Sequence, residues 1–471
     1  MKICMLIEGA YPYVTGGVSS WVQQAILSMP EHEFIITALV TSENEKREIK
    51  YKLPDNVTAL HEFYLQSEDY GRHRRKRPLT KQENEAFRSL FFGRKVDWEP
   101  VFEYFRKRPV SLDALIMSDD FLRMAGEYYR AHFDRLVYSD FIWTMRSIYF
   151  PLFSVMSQSL PEADLYHCLS TGYAGVLGSM AKYLYHKPLL VSEHGIYTRE
   201  REEEIIRAGW VTGEYKNLWI NQFRKFSDCA YRYADKVTCL YEGNRKLQVE
   251  FGCPPDKTIV IPNGVDAEEY GNIPQKDPDD PYINIGAILR VTPIKDVKTL
   301  LSAYAMAKKK NSKLKLWILG PLDEMPEYVQ ECRDMVSNMQ MKDVVFTGQV
   351  NVKDYIGKMD FLVLSSLSEG QPLVILEGFA AHKPFVATNV GDCKGLIYGK
   401  DDGLGKAGVI VPVMHTAKLS EAMLFLAEDE DRRRQMGEVG YQRVLSHEKK
   451  KIYDTYRQIY DELGGQRQWQ E

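Results

Sequence analysis

The sequence lacks the features of a membrane-spanning or exported protein. No apolar run in its 471 residues approaches the ~18 residues that a transmembrane helix requires. The opening MKICMLIEGAYP is broken by Glu8 and is too short for a signal peptide. Lysine plus arginine (61) nearly balance aspartate plus glutamate (65), so the net charge of −4 gives no general attraction to nucleic acid or anionic lipid. We expect no membrane span, with any membrane association arising through a partner.

Cysteine motifs and the common phosphate-binding motifs are also missing. The seven cysteines are scattered and never spaced as Cys-x-x-Cys, which argues against a disulfide framework or a zinc site. Reduced thiols of this kind are typical of a cytoplasmic protein. Neither GxGxxG nor GxxxxGK[ST] occurs, so no dinucleotide fingerprint and no Walker loop is predicted.

What the sequence does contain is an alternation of short apolar runs with amphipathic segments. This alternation predicts parallel sheets with helices on both faces, and the length favours two or three domains. The predicted strands of the first half are Lys2–Glu8, Phe34–Val40, Val57–Phe63, Ala163–Gly172, Leu189–Gly195, Ala234–Tyr241 and Thr258–Asp266. Those of the second half are Ile283–Ile288, Leu314–Leu319, Val344–Phe346, Phe361–Leu364 and Pro384–Ala387.

Composition also suggests where the domains begin and end. A polar, proline-rich stretch at 268–282 predicts a linker between a first domain at 1–268 and a second at 282–446. Residues 68–150 are rich in charge and aromatics and predict a helical insertion in the first domain. Within it, Arg72–Arg77 is either a basic patch or a solvated turn. The linker contains Asp277-Pro278-Asp279, which we interpret as a solvated turn and not as a metal site.

The most informative stretch is Ser365–His382, SSLSEGQPLVILEGFAAH, which follows a predicted buried strand. A helix is expected to begin near Pro372, with Glu369 before it and Glu377 within it. The first-turn amides of such a helix lack internal acceptors and attract anions. An anion bound there has a carboxylate on either side. A nucleoside diphosphate-sugar has this layout, with hydroxyls of the sugar at one end and of the ribose at the other.

Three further groups of residues lie at the ends of predicted strands, where open parallel sheets bind ligands. Gly16-Gly17 follows the first strand and precedes a helix, although such a pair is also typical of a plain turn. His194 ends the strand LLVSEHG and is either structural or functional. Arg290 and Lys295 lie on the loop after Ile283–Ile288, where two cations are often only surface residues.

The spacing of Glu369 and Glu377 resembles the Glu-seven-residues-Glu signature of retaining glycosyltransferases of family 4. Together with LIEGAYPYVTGGVSSWV at the other end, SEGQPLVILE resembles more narrowly the glycosyltransferases of bacterial Pel exopolysaccharide systems. The resemblance covers most of the chain and is weakest between about Glu68 and Phe150. It implies the α/β GT-B fold, with two Rossmann-like parallel-sheet domains facing across a cleft and a C-terminal helix, at 447–471, crossing back to the first domain.

The resemblance also implies roles for individual residues. Glu369 is expected to position the donor sugar and Glu377 to bind the ribose. Arg290 and Lys295 are expected to stabilise the diphosphate, and His194 to contact the sugar or its phosphates. The remaining donor-binding residues implied are Gly16, Gly17, Gly370, Gln371, Pro372, Leu373, Val374 and, at the base-binding edge, Gly348 and Val350.

The expected activity is metal-independent, retaining transfer of a hexose from a UDP-sugar, with UDP-glucose favoured. The expected acceptor is a growing polysaccharide or oligosaccharide, bound mainly by the first domain, and the expected partner is a membrane-embedded polysaccharide synthase complex at the inner membrane. Neither a metal nor pyridoxal phosphate is expected. The alternatives are another family 4 hexosyltransferase with a lipopolysaccharide, glycolipid or small-molecule acceptor, a sugar-nucleotide 2-epimerase, a pyridoxal phosphate-dependent phosphorylase, and a non-catalytic UDP-sugar-binding protein.

Overall fold

The computed structural model describes residues 1–66, 78–107 and 111–465, and it divides into two compact units. The first unit contains Met1–Ile261 and the C-terminal residues from Thr455 onward, and the second contains Pro262–Asp454. The division lies between Ile261 and Pro262, so the stretch that the composition predicts as a linker belongs to the second unit. The basic run Arg72–Arg77 lies outside the described residues.

The first unit is built on a seven-stranded parallel sheet in the order β3-β2-β1-β4-β5-β6-β7. Its central strands are apolar runs with almost every side chain buried, as expected for a sheet covered on both faces. The last strand is shorter than predicted, because only three residues pair before the chain turns through Pro262. The strands are β1 Lys2–Glu8, β2 Glu33–Ser42, β3 Val57–Gln66, β4 Leu165–Cys168, β5 Leu189–Glu193, β6 Lys236–Cys239 and β7 Thr258–Val260.

Helices cover this sheet, and the predicted insertion is helical where it is described. Its aromatic side chains contribute to the core: Phe87, Phe91, Phe102 and Phe141 are all buried. The helices are α1 Gly17–Leu27, α2 Lys81–Phe92, α3 Trp98–Lys107, α4 Leu112–Ile116, α5 Asp119–His132, α6 Tyr138–Met156, α7 Tyr173–Tyr185, α8 Tyr197–Arg207, α9 Lys216–Tyr233 and α10 Glu242–Glu250.

The second unit repeats the architecture with six parallel strands in the order β10-β9-β8-β11-β12-β13. β8, β9 and β11 begin and end where their apolar runs predict. The strands are β8 Ile283–Ile288, β9 Leu314–Leu319, β10 Val344–Gly348, β11 Phe361–Leu364, β12 Phe385–Thr388 and β13 Gly408–Val411. The helices are α11 Val297–Lys310, α12 Pro326–Asn338, α13 Lys353–Ile356, α14 Leu373–Ala380, α15 Cys393–Tyr398, α16 Thr416–Ala427 and α17 Glu430–Val444.

The last helix, α18, runs from Lys449 to Gly465, and its residues from Thr455 onward belong to the first unit. There Tyr456 and Tyr460 are buried, and the Tyr460 hydroxyl lies 2.7 Å from Nδ1 of His167. All seven cysteines are free and buried. No helix in the described part of the chain combines the length and apolarity needed to span a bilayer. Asp277–Asp279 forms an exposed turn, closed by the Asp279 amide donating to Oδ1 of Asp277.

Candidate functional site

The loop after β8 carries Lys295 at the end of a short 3-10 turn, Pro293–Lys295. The next residue, Asp296, has a left-handed backbone (φ 48°) and caps α11 by accepting from the amide of Thr299 at 3.4 Å. Aspartate is one of the few non-glycine residues that adopt this backbone readily, because its short side chain can hydrogen-bond locally. The cap at Asp296 therefore fixes the end of the turn that presents Lys295.

The segment that follows β11 holds this turn in place through two hydrogen bonds. Oγ of Ser365 donates to the carbonyl of Lys295 at 2.7 Å, and the amide of Leu367 donates to the carbonyl of Ile294 at 2.8 Å. β8 and β11 are neighbours in the sheet, so their loops leave the same edge side by side. The two hydrogen bonds join the loop that carries the predicted cation to the loop that carries the predicted carboxylate.

Lys295 and Glu369 meet directly. Nζ of Lys295 lies 2.5 Å from Oε1 of Glu369, and Oγ of Ser366 donates to the same oxygen at 2.5 Å. The two side chains are only 18% and 12% exposed, so solvent screens the pair less than a surface ion pair. Within the described residues, Oε2 of Glu369 has no hydrogen-bond donor and remains available to a ligand.

The Glu369 loop is supported from a second neighbouring strand. Gly391, after β12, has φ 52°, and a Cβ added there would lie 2.1 Å from the carbonyl oxygen of Gly370. That carbonyl also accepts from the amide of Asp392 at 2.9 Å. Only glycine allows this backbone approach. Gly391 and Asp392 thus help to fix the position of the Glu369 loop, a role that no motif in the sequence indicates.

Gln371 is buried, and its side chain also helps to hold the Glu369 loop in place. Its amide nitrogen donates to Asp392 at 2.8 Å, and its amide oxygen accepts from the backbone of Asn263 at 2.6 Å. The side chain of Asn263 in turn donates to the Gln371 carbonyl at 2.9 Å. These bonds orient the turn just before Pro372. Gln371 is predicted to contact the ligand. In the structure its side-chain amide is instead hydrogen-bonded to Asn263 and Asp392.

Helix α14 begins at Leu373, one residue after the proline that the sequence predicts as its start. The amide of Ile375 donates to the carbonyl of Pro372 at 3.1 Å, whereas the amides of Leu373 and Val374 have no acceptor among the described residues. Two unsatisfied amides at a helix start carry partial positive charge. They follow the Glu369 loop directly, and the Glu369 side chain in turn contacts Lys295 of the neighbouring loop.

Glu377 lies in the second turn of α14, in a setting that differs from that of Glu369. Its carboxylate has no hydrogen bond or ion pair with the described residues, and burial raises its pKa, while the charge of Lys353 opposes that shift. The remainder of the helix is apolar. A carboxylate left unpaired in such surroundings is costly, which favours a ligand that supplies hydroxyl donors.

Arg290 lies at the same sheet edge, but its guanidinium is paired with Glu324 and not with Glu369. Its Nη1 lies 2.8 Å from both carboxylate oxygens of Glu324, and each side chain is 45% exposed. Exposed pairs of this kind contribute about 0–1 kcal/mol, so an incoming phosphate competes readily for the guanidinium. Gly348 ends β10 with φ 73°, and its carbonyl accepts from the amide of Gly320 at 3.1 Å. Val350 follows two residues later.

The remaining predicted residues belong to the first unit. Gly16 precedes α1 and Gly17 opens it; both are exposed, and a Cβ at Gly16 would contact nothing within 4 Å. His194 packs against Trp21, with ring centroids 4.9 Å apart. Its Nε2 is buried without a partner in the described chain, and burial lowers its pKa to about 4. The imidazole is therefore neutral at pH 7 and has a ring nitrogen free for a ligand.

Two family models match the chain. Residues 1–256 match a model described as a domain of unknown function, DUF3492. Residues 282–429 match a model described as glycosyl transferases group 1, and this region contains the Lys295–Glu369 pair and α14. A D-inositol 3-phosphate glycosyltransferase of Kineococcus radiotolerans is 25% identical over 43% of this chain and 52% of its own length, so the chain spans about half of that relative. The second match shows that residues 282–429 form a region of the glycosyl transferases group 1 type.

Solved structures match nearly the whole chain. Anabaena HepE, in complex with UDP and glucose, has a TM-score of 0.61 at 15% identity and covers 98% of this chain and 99% of its own. Sucrose-phosphate synthase from Thermosynechococcus elongatus has a TM-score of 0.60 at 16% identity, covering 98% of both chains. At such identity the likeness concerns the fold. It confirms the expected GT-B fold with two Rossmann-like parallel-sheet domains.

Proposed function

Because this chain belongs to the DUF3492 family and carries a glycosyl transferases group 1 region, we propose that it transfers a hexose from a UDP-sugar to a growing polysaccharide. UDP-glucose is the favoured donor. The proposed setting is Pel-type exopolysaccharide synthesis in the bacterial cytoplasm, with a membrane-embedded synthase complex as partner. The observation that carries the proposal is the contact between Lys295 and Glu369 beside the free amides of α14.

The second unit offers complementary groups for each part of a UDP-sugar. The diphosphate would lie on the amides of Leu373 and Val374 and against Lys295. Glu369, through its free Oε2, would accept hydrogen bonds from the sugar hydroxyls. Glu377 would accept from the ribose hydroxyls, which compensates for its lack of a protein partner. HepE has been crystallised in complex with UDP and glucose, and the shared fold supports the same ligand class here.

The proposed reaction retains the anomeric configuration. The bond between the anomeric carbon and the diphosphate oxygen breaks, and the acceptor hydroxyl attacks that carbon from the same face. The leaving phosphate oxygen takes the proton of the acceptor hydroxyl. Negative charge that develops on the diphosphate is stabilised by Lys295, by Arg290 after release from Glu324, and by the start of α14. These fixed positive groups are the basis for proposing metal-independent transfer, which EDTA should leave unchanged.

The test is UDP release and sugar transfer by purified variants. Lys295→Ala is expected to lower kcat about a hundredfold or more, the usual loss when one stabiliser of developing charge is removed. Glu369→Gln is expected to lower transfer as well, because it replaces the carboxylate that accepts from the sugar hydroxyls and pairs with Lys295. Lys298→Ala is the matched control, because Lys298 lies three residues away and forms an exposed ion pair with Glu331. Melting temperatures near that of the wild type would show that the variants fold.

The outcomes separate the candidate functions. Wild-type transfer by Lys295→Ala or Glu369→Gln would refute the assigned roles. Binding of UDP-sugars without UDP release in the presence of acceptor would indicate the non-catalytic alternative. Isomerisation of free UDP-sugar without acceptor would indicate an epimerase.

A further inference from the structure

The first unit contains a cavity of about 630 Å³ at the carboxyl edge of its sheet. Its floor is formed by the ends of β1 and β2, at Glu8–Gly9 and Leu39–Thr41. One wall belongs to α8, Trp210 and α9, and the other to Tyr13 and the segment after β2. The volume falls within the ~300–1,000 Å³ typical of small-molecule sites, and the carboxyl edge is where open parallel sheets bind ligands. None of the residues expected to bind the donor lines it.

Charged side chains of both signs line this cavity in equal number, with four carboxylates and four cationic side chains. Arg201 pairs with Glu204 at 2.5 Å and Arg47 with Glu45 at 3.2 Å, and Lys50 pairs with Glu48. An anionic ligand is favoured by surplus cationic groups, and a cationic ligand by surplus carboxylates. Because most of the charges are already paired within the lining, the cavity suits an uncharged ligand that makes many hydrogen bonds.

Two polar side chains of the lining, Glu8 and Tyr13, are held in place by hydrogen bonds to residues outside it. Oε1 of Glu8 accepts from Oγ of Ser170 at 2.6 Å and from the amide of Ala174 at 2.9 Å. The Tyr13 hydroxyl donates to Glu62 at 2.5 Å. Both polar side chains therefore keep their positions without a ligand, and preorganised groups reduce the entropy cost of binding.

Aromatic side chains also form part of the lining. Trp210 is 69% exposed, and its ring rests edge-on against Trp219 with centroids 5.6 Å apart. Tyr173, Tyr197 and Phe223 also line the cavity. An aromatic side chain offers an apolar face together with a polar edge, which suits a ring that is apolar on one face and bears hydroxyls at its rim. Sugar rings have this character.

We propose that this cavity binds the acceptor as a neutral oligosaccharide, with one sugar ring stacked on Trp210. The inference rests on the proposed function, since it assigns the acceptor class of that reaction. It excludes acceptors whose recognition depends on a phosphate or carboxylate. The hydroxyls of the sugar exchange hydrogen bonds with the paired charges of the walls, and the carbon-bound hydrogens of one ring face lie on the indole.

Saturation-transfer NMR on the full-length chain tests the proposal. The probes are maltopentaose, cellopentaose and penta-N-acetylchitopentaose, with pentagalacturonate as the anionic comparison and UDP as the donor-side comparison. At least one neutral pentasaccharide is expected to bind, with an affinity unchanged between ~0.05 M and ~0.5 M NaCl because no net charge is involved. Trp210→Ala should weaken that binding about tenfold, the effect of losing one stacked aromatic contact, and leave UDP binding unchanged.

Trp143→Ala is the matched control, because Trp143 is 63% exposed on α6 and does not line the cavity. Preferential binding of pentagalacturonate would overturn the proposal, as would equal binding by wild type and Trp210→Ala. Binding of UDP without any neutral pentasaccharide would overturn it while leaving the proposed donor intact. Pentasaccharide binding that depends on Trp210, without UDP binding, would support the cavity assignment and contradict the proposed donor.

Discussion

Glu369 receives both of its hydrogen bonds on one carboxylate oxygen, from Lys295 and from Ser366. This arrangement pairs the carboxylate with a cation and leaves its other oxygen without a donor among the described residues. In the donor complex that we propose, the ammonium of Lys295 would shift towards the diphosphate without leaving Glu369 unsatisfied, because Ser366 would still donate. No motif in the sequence indicates that Ser366 donates a hydrogen bond to Glu369.

His194 illustrates how burial sets the state of a single group. Its depressed pKa makes it a neutral group at pH 7, so it does not act as a cation. Its Nε2 is buried and has no hydrogen-bond partner among the described residues. The strand-end position predicts that a histidine lies near the site, whereas its charge state depends on Trp21 and other neighbours distant in sequence.

The pKa of His194 also predicts a pH dependence of stability. The folded value is about 4 and an unfolded histidine titrates near ~6.5, so between these values the unfolded chain binds more protons. The free energy of unfolding therefore falls as the pH is lowered from about 6.5 towards about 4. His194→Gln should reduce this slope by about 1 kcal/mol per pH unit between pH ~6 and ~5.

Urea unfolding at several pH values measures this slope. His61→Gln is the control, because His61 is exposed on β3 and its removal should leave the slope as in the wild type. An unchanged slope in His194→Gln would show that this imidazole does not lose its proton on folding.

At the scale of elements, the proposed donor site is a meeting of three loops that follow β8, β11 and β12. Hydrogen bonds from Ser365 and Leu367 hold the first, and the backbone of Gly391–Asp392 holds the Glu369 loop from the other side. The carboxyl ends of adjacent parallel strands place such loops side by side. The sheet thus brings together residues 74 positions apart in sequence, Lys295 and Glu369.

Gly391→Ala tests whether this loop contact matters for the site. The new Cβ meets the carbonyls of Gly370 and Glu369 at 2.1 and 2.4 Å, in a left-handed backbone. Overpacking and backbone strain together should destabilise the protein by about 2–5 kcal/mol. Displacement of Glu369 should also lower transfer more than the loss of stability explains, when activity is measured well below the melting temperature.

Gly403→Ala is the matched control for that substitution. Gly403 has φ 69°, and a Cβ there contacts nothing within 4 Å, so it adds backbone strain without a collision. It should cost about 1–2 kcal/mol and leave the donor KM unchanged. Equal transfer by both variants would show that the Gly391 contact does not position Glu369.

The elements themselves were largely predictable from the sequence. Buried parallel strands are continuous apolar runs, so β1, β8, β9 and β11 end where the runs end. β7 is shorter than its apolar run, because Pro262 stops the ladder. α15 and β13 are short and lack a distinctive pattern, so they are not predictable from the sequence. The framework roles of Asn263, Gln371 and Asp392 depend on contacts between distant segments, which no local pattern encodes.

At the scale of the whole molecule, the chain returns to its first unit at the end. Residues of α18 from Thr455 onward pack there, where Tyr460 meets His167 and Tyr456 lies 3.2 Å from Thr238. The tyrosine spacing predicts a packed helix face but not its partners. The DUF3492 match covers nearly all of the Met1–Ile261 segment of this unit, and the group 1 match covers all six strands of the second sheet. The chain thus pairs a family-specific first unit, which holds the cavity beside Trp210, with a second unit of the group 1 type.

The most direct test of the central claim is a crystal structure of the full-length chain with UDP. We predict that the phosphate oxygens lie within hydrogen-bonding distance, ~2.7–3.2 Å, of Nζ of Lys295 and of the amide of Leu373 or Val374. We also predict that a ribose hydroxyl reaches the carboxylate of Glu377. A diphosphate bound away from both Lys295 and the start of α14 would contradict the account.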